Sequence, residues 1–403
     1  MFRVVACLTV GLLVVGTAAL GAESVVDFVR RHWAVPIPPQ GPPPAGWSAL
    51  ESALAPEACG MCHPVQYNDW RTSVHAASMG PGIAGQLVEM EAAARGSTRE
   101  CHLCHAPLAE QSAMTRTAAG LVANSAFDPA LHGRGVVCAG CHVRSHQRFG
   151  PPRRDGSLTS AAHRATLPHR GVTRTAAFLS SEFCRGCHQF TSNGLAVNGK
   201  LLQNTYVEWQ ASRFARAGVQ CQDCHMPDRR HVWRGIHDQA MVASGLEITV
   251  TPDIGHLTVE RDFALTLEVR NTGVGHAFPT YVTPRVVLRG DLLDPGGPVA
   301  GSRREVVIAR EVTLDLSREM SDTRLLPGQS ARLRYTGGID RPDRCLRLSV
   351  IVEPDAFYIG FFEALLAQGA GRGEAQIREA LDATRRSPFN AFERDIALSL
   401  SAS

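Results

Sequence analysis

The chain has 403 residues, 41 Lys+Arg against 38 Asp+Glu for a formal net charge of +3, 44% hydrophobic content, 37 Gly, 24 Pro and 12 Cys. That length and apolar content suit two or three packed domains and exclude both a disordered chain and a polytopic membrane protein. So small a net charge, with only 6% aromatic residues, also excludes a nucleic-acid surface built on basic stripes and stacking rings.

Arg3 precedes one apolar run, Val4 to Ala22, which ends in the small residues Ala19, Gly21 and Ala22. Residues 1–22 therefore read as a cleaved export signal that takes Cys7 with it; the run is also just long enough to stay as a single membrane anchor. The expected location is periplasmic or extracellular, at the inner membrane if the anchor is kept. Residues 23–58 form a leader whose AVPIPPQGPPPAG run prefers an extended backbone. It is either a spacer from the membrane or a strap over the next domain.

An exported chain rich in cysteine usually carries disulfides, but the spacing points elsewhere. Ten of the other cysteines fall in five C-x-x-C-H pentapeptides: CGMCH from Cys59, CHLCH from Cys101, CAGCH from Cys138, CRGCH from Cys184 and CQDCH from Cys221. Chance predicts on the order of 0.01 such strings in a chain of this composition, so a shared chemistry set the spacing. Zinc ribbons pair C-x-x-C units on each metal and have no use for a His after every second Cys. Covalent haem attachment explains all three constant positions, since two thiols on one turn reach the two vinyl groups and the next imidazole lies under the iron. Five covalently bound haem c groups follow, held by thioethers from Cys59 and Cys62, Cys101 and Cys104, Cys138 and Cys141, Cys184 and Cys187, and Cys221 and Cys224. Their proximal ligands are His63, His105, His142, His188 and His225.

The motifs follow one another too closely for each haem to have a pocket of its own. Residues 59–245 should therefore be short helices and irregular loops wrapped on closely packed porphyrins. The propionates make the oxidised holoprotein net negative. Arg71, Arg144, Arg148 and Arg185 either offset that charge or form solvated surface. Eleven further histidines are available: His32, His75, His102, His132, His146, His163, His169, His231, His237, His256 and His276. That is enough for a second imidazole on every iron. His102 sits inside its own motif, while His32 and His256 lie outside the haem-rich segment, so these three are set aside. His75, in DWRTSVHAAS, sits on a predicted helix that returns it to a haem face, and Met79 one turn later competes with it.

From Leu246 the hydrophobic period changes to two. LEITVTPDI, DFALTLEVRN, RVVLRGDLL, REVVIAREVTLDL, SARLRYTG and CLRLSVIVEP alternate apolar with polar residues between Gly, Pro and Asp turns. They predict an antiparallel β-sandwich over 246–354, with Cys345 as a packed thiol. Phe357, Phe361, Phe362, Leu365 and Leu366, then EAQIREALDATRR, predict short C-terminal helices over 355–403. The fold class expected is α+β: a mostly helical and irregular pentahaem domain, then the sandwich, then the helices.

CGMCHPVQYNDWRTSVHAASMGPG, CHLCHAPLAEQ, GVVCAGCHVRSHQRFGPP, SEFCRGCHQF, EWQASRFARAGVQCQDCHMP and VRNTGVGHAFPT resemble the multihaem c-type cytochrome family related to the tetrahaem cytochromes c and hydroxylamine oxidoreductase. The resemblance implies distal ligand roles for His75, His169, His237 and His276. His146 and His132 are the choices for the fifth, unless one iron is five-coordinate, with His163 and His231 in reserve. Nitrite-reducing relatives replace a motif His with Lys, but the single lysine here is Lys200, far from any motif. No spacing marks any of Tyr67, Tyr206, Tyr281, Tyr335 or Tyr358 for the haem crosslink of the hydroxylamine-oxidising relatives.

The function expected is electron transfer along mostly bis-His haems, from a membrane-side donor protein to a downstream acceptor, with no nucleic-acid partner. An electron carrier is favoured over a catalyst. The alternative is an oxidoreductase in which one five-coordinate haem acts on a small nitrogen or sulfur compound. A third reading has the sandwich docking or oligomerising the cytochrome.

Overall fold

The computed structural model describes residues 23–92, 98–118, 120–158, 167–259, 262–339 and 343–400. The expected export segment, residues 1–22, and the reserve ligand His163 lie outside the described residues. No helix among the described residues is long and apolar enough to cross a membrane.

The leader is a strap. Helix α1 (Val25–His32) starts at Ser24, whose hydroxyl accepts from the Asp27 backbone N–H. It buries Phe28 and Val29 against Phe149, Ala177 and Phe183. His32 is fully buried at its end, with Nε2 2.8 Å from the Cys141 carbonyl. Beyond it the proline-rich run buries Ile37 and Gln40, and the Gln40 N–H donates to Glu110 Oε1 at 2.6 Å. Of the two readings of the leader, the packing selects the one that covers the haem-motif segment. The helix ahead of the prolines was not anticipated.

Every attachment motif sits on a helical turn. α2 (Pro56–Gly60) carries the first, and the His63 N–H donates to the Cys59 carbonyl at 2.9 Å. α3 (Pro64–Trp70) starts directly after it on a proline, and α4 (Pro81–Ala92) follows. The other motifs end α5 (Thr98–His105), α6 (Cys138–His142) and α7 (Glu182–His188); after α8 (Thr205–Gln210) the fifth occupies α9 (Cys221–His225). A helical turn brings residues i, i+3 and i+4 onto one face, which is where two thiols and an imidazole must be to share one porphyrin.

The six alternating segments are strands. β1 (Leu246–Thr251), β2 (His256–Val259), β3 (Asp262–Asn271), β4 (Arg285–Asp294), β5 (Arg304–Val312), β6 (Glu319–Asp322), β7 (Ser330–Gly338) and β8 (Arg344–Glu353) are joined by β9 (Phe389–Leu400). One sheet runs β7-β3-β1 and the other β6-β5-β4-β8-β9-β2, antiparallel except for the β9–β2 pair. Leu265, Leu267 and Val269 of the first sheet share a core with Val286, Leu288, Ile308, Leu346, Leu348 and Val350 of the second, the packing of a two-sheet sandwich.

The C-terminal boundary differs from the expectation. The sandwich does not end at 354, and residues 355–403 are not all helical. α10 (Ala356–Gln368) and α11 (Glu374–Arg386) form a hairpin inserted between two paired strands, and the chain then returns as β9 alongside β8. Ile396 and Leu398 of β9 are buried in the sandwich core. Glu393, Arg394 and Asp395 interrupt the apolar alternation, and a register shift opposite Val350 and Ile351 breaks the period further. The returning strand was therefore hidden from a periodicity argument.

The α10–α11 hairpin packs Phe362 and Ile377 on α4, where any side chain at Gly82 or Gly85 would collide with them. The haem-motif half and the sandwich are bolted together by Arg310 on β5. Its guanidinium is 2% exposed, pairs with Glu319 at 2.9 Å, and donates to the carbonyls of Val197, Lys200 and Leu201 at 2.8–3.0 Å.

Candidate haem-binding sites

All eleven cysteines among the described residues are free thiols, so the ten motif thiols are available for attachment. They lie next to one another across motifs. Cys59 adjoins Cys138, Cys104 adjoins Cys187, and Cys184 adjoins Cys221, each thiol close enough to act on the other. Cys141 is within electrostatic reach of both Cys184 and Cys187. The motifs therefore adjoin in the order first, third, fourth, with the second and the fifth both branching from the fourth. Cys345 is half-buried on β8, opposite Leu293 and Ala397 and away from the motifs.

With a metal–nitrogen distance of about 2.0–2.1 Å and roughly 1.1 Å from nitrogen to ring centroid, two imidazoles on opposite sides of one metal have centroids about 6.2–6.4 Å apart. Three motif histidines face a second imidazole near this separation. His188 lies 6.2 Å from His75, His142 lies 6.1 Å from His231, and His225 lies 6.3 Å from His276 with the rings 11° from parallel.

The orientation of these rings is fixed from behind. Nδ1 of His142 is 2.9 Å from the Phe149 carbonyl, that of His231 3.0 Å from Arg229, that of His225 2.7 Å from Arg234 and that of His276 2.9 Å from Ala277. His188 instead directs Nδ1 to the Tyr281 hydroxyl at 2.9 Å. Tying down Nδ1 sets the tautomer and leaves Nε2 for a metal. Burial pushes His75 down to about 3 and His142, His188 and His276 down to about 4. It also lowers His231. All five are neutral at neutral pH, the form that ligates metal.

The other candidates divide by which nitrogen is engaged. His169 has Nδ1 on the Gly171 carbonyl at 3.0 Å and feels the charge of His63, which sets it beside the first motif. His237 uses Nε2, 3.0 Å from Asp355 Oδ1 at the start of α10, and its side chain is 45% exposed. His146 is buried with Nε2 2.9 Å from the Gly41 carbonyl under the leader strap. Both thus have Nε2 engaged within the protein, and among the described residues neither ring faces a motif imidazole at the spacing of the three pairs. His132 has Nδ1 on the Gln111 carbonyl at 2.9 Å, and its ring lies 6.1 Å from His102, the inner residue of the second motif. Among the described residues, His105 faces no imidazole at the spacing of the three pairs; its Nδ1 is 2.7 Å from the Ser78 carbonyl. Met79 is buried with Leu87 and Ala106, against Ile83, Met90 and Cys101.

Residues that the sequence reading passed over position these pairs. Arg230 holds Asp69 through two bonds of 2.7 and 2.6 Å, and Asp69 accepts from the His231 backbone N–H at 3.0 Å. The guanidinium holds the Asp69 carboxyl below the usual carboxylate range. Trp233 stands edge-on to both His75 and His231. Gly135, at φ +65°, admits the His75 and Ala76 carbonyls to within 2.5–2.6 Å of where a Cβ would be. His231 and His237 both follow the fifth motif, and nothing in their spacing separates them; the contact with Asp69 does.

Of the four arginines, Arg144 and Arg148 are drawn inward, Arg144 donating to the His32 carbonyl at 2.7 Å and Arg148 to the Glu51 carbonyl at 2.6 Å. Burial lowers both, Arg144 to about 10, so both stay charged. Arg71 and Arg185 are exposed.

Residues 58–143, which span the first three motifs, match the cytochrome c554 and c-prime family. The structure is similar to that of a penta-haem cytochrome c552 from Thermochromatium tepidum, at 18% identity and a TM-score of 0.58, covering 87% of this chain and all of that one. A second solved structure, Northeast Structural Genomics Consortium target SoR45, matches over 39% of the chain at 12% identity and a TM-score of 0.18. No curated protein matches. The segment holding the first three attachment motifs is thus similar to the cytochrome c554 and c-prime family, and the fold around it is similar to that of a penta-haem cytochrome.

Proposed function

We propose that the protein is an exported, periplasmic electron carrier holding five haem c groups, mostly with two imidazoles each, that exchanges electrons with a membrane-side donor and a downstream acceptor. The observation that carries this reading is the facing of His142 with His231, His188 with His75 and His225 with His276 at 6.1–6.3 Å. Beside free thiols in C-x-x-C-H turns, that spacing fits haem c. So does Arg144 Nη2, a buried donor without a partner, which suits a propionate oxygen.

When bound, haem supplies reversible one-electron ferric–ferrous chemistry. The chain does the rest. Cys59, Cys62, Cys101, Cys104, Cys138, Cys141, Cys184, Cys187, Cys221 and Cys224 hold the groups. His63, His105, His142, His188 and His225 ligate from the motif side, and His169, His75, His231 and His276 oppose the first, fourth, third and fifth. The adjoining thiols keep neighbouring sites close, which suits transfer along a connected array. Two imidazoles on an iron close it to substrate and set a lower potential than His/Met ligation.

A second reading has its own observation. His132 lies across from His102 rather than His105, which marks the second site as the candidate for an open iron position where a small nitrogen or sulfur compound binds. The test is a pyridine haemochrome assay with electron paramagnetic resonance of the purified holoprotein. Five haem equivalents with low-spin signals alone support the carrier. Fewer than five equivalents overturn the count, and a high-spin ferric signal with CO binding after reduction moves the assignment to the second reading.

A further inference from the structure

His105, His142 and His225 each direct Nδ1 to a backbone carbonyl, at 2.7, 2.9 and 2.7 Å. His188 directs it to a phenol, Tyr281 Oη at 2.9 Å. Tyr281 comes from the sandwich, in the same β3–β4 connection that carries His276. One loop of the second half of the chain thus reaches two neighbouring sites, opposing His225 at the fifth and backing His188 at the fourth.

The connection is held rigidly. Thr205 and Gln203 lie close enough to Tyr281 to act on its phenol, and Thr205 Oγ1 is 2.8 Å from Thr280 Oγ1. Glu208 accepts from Thr280 Oγ1 and from the Ala277 N–H, both at 3.1 Å. Arg324, 10% exposed, clamps Glu208 from the sandwich side at 3.2 Å. The phenol therefore has one place to be.

Groups hydrogen-bonded to the far nitrogen of a ligating imidazole tune the metal through it. With Nε2 on iron, Nδ1 carries a proton and donates it. A strong acceptor draws that proton away, gives the imidazole anionic character and favours the ferric state; a weak acceptor does less. A phenol oxygen is a weaker acceptor than an amide carbonyl. We propose that Tyr281 is the residue through which the sandwich sets the potential of the fourth haem site, holding it above what a carbonyl partner would give. The fourth site is where the motifs of the second, third and fifth converge, so its potential governs how electrons distribute among those branches. The inference rests on the proposed carrier reading.

The experiment is a redox titration of the holoprotein followed by electron paramagnetic resonance, on the parent, on Tyr281→Phe and on protein with 3-fluorotyrosine at position 281. The fourth-site signal is identified as the one lost in His75→Ala. The expected result is that Tyr281→Phe raises the reduced-to-oxidised ratio of that haem several-fold at fixed potential, leaving the others in place. Fluorotyrosine, a weaker acceptor of unchanged shape, gives a smaller shift in the same direction and serves if the Phe variant fails to mature. Unchanged midpoints in both variants, equal shifts at all sites, or loss of the low-spin fourth signal would each overturn the proposal, the last by showing that Tyr281 only holds the ligand in place. A parent with fewer than five haems fails the carrier reading separately.

Discussion

The imidazole of His225, in the last attachment motif, lies 11° from parallel to that of His276, on a sandwich loop, with 6.3 Å between ring centroids. The pair spans the boundary between the two halves of the chain, so on the proposed reading the sandwich would supply a ligand to the fifth site. Asn271 holds the loop by donating to the His276 and Leu325 carbonyls at 3.1 and 2.9 Å.

Replacing His276 by Ala is expected to leave all five haems attached, since thioethers and proximal His225 remain. It should convert one low-spin signal into a high-spin one and open one site per molecule to CO after reduction. Haemochrome quantitation with electron paramagnetic resonance and CO difference spectra reads both.

His231→Ala and His237→Ala separate the reserve histidine that faces a motif imidazole from the one the sequence resemblance favoured. The first is expected to remove one low-spin signal. The second leaves every spin state as in the parent, because its Nε2 is taken up by Asp355. Asp69→Asn weakens the hold on His231 and should broaden or shift that same signal without abolishing it.

Acid should part the facing imidazoles. His75, near 3, and His142, His188 and His276, near 4, bind protons less readily when folded than at their ordinary 6.5. The unfolded chain therefore takes up more protons between those limits, and stability is lost as pH falls from about 6.5 toward 4. Ligation by iron competes with the same proton and extends the window lower. A Soret and spin-state titration from pH 7 downward is expected to show a cooperative low-spin to high-spin change on the acid side and none on raising pH to 8.

Arg310→Ala leaves the Val197, Lys200 and Leu201 carbonyls without their donor and Glu319 with only Lys200 and Asn198. The expected cost is roughly 1–3 kcal/mol, the range for leaving a buried polar group unsatisfied, read as a fall in urea midpoint. Because the contact joins the two halves, limited proteolysis should then cut between them, with the haems still attached to the N-terminal fragment.

Gly135→Ala places a methyl against the His75 and Ala76 carbonyls and forces a side chain into a left-handed conformation, a strain of about 1–3 kcal/mol. The outcome expected is a lower melting temperature and loss or shift of the signal assigned to the His75–His188 site.

What could be read from the sequence was what is local in the chain. Haem attachment needs two thiols and an imidazole on one turn, so Cys221, Cys224 and His225 declare themselves within five consecutive residues. A half-buried strand needs only alternation, so DFALTLEVRN was legible as β3. β9 was not, because charges and a register shift break its alternation and its burial comes from a neighbouring strand. The same limit applied to ligands. The resemblance favoured His237 and kept His231 in reserve; the packing instead holds His231 through Asp69 and Arg230 and engages His237 at Asp355. Which imidazoles face each other, which nitrogen is free and what stands behind it depend on packing between segments distant in sequence, and no spacing rule encodes that. Sequence alone carried the motif spacing from which attachment is read and the alternation that marks most strands of the sandwich. Only the tertiary structure decided the imidazole pairs, the phenol behind His188 and the order in which the motifs adjoin.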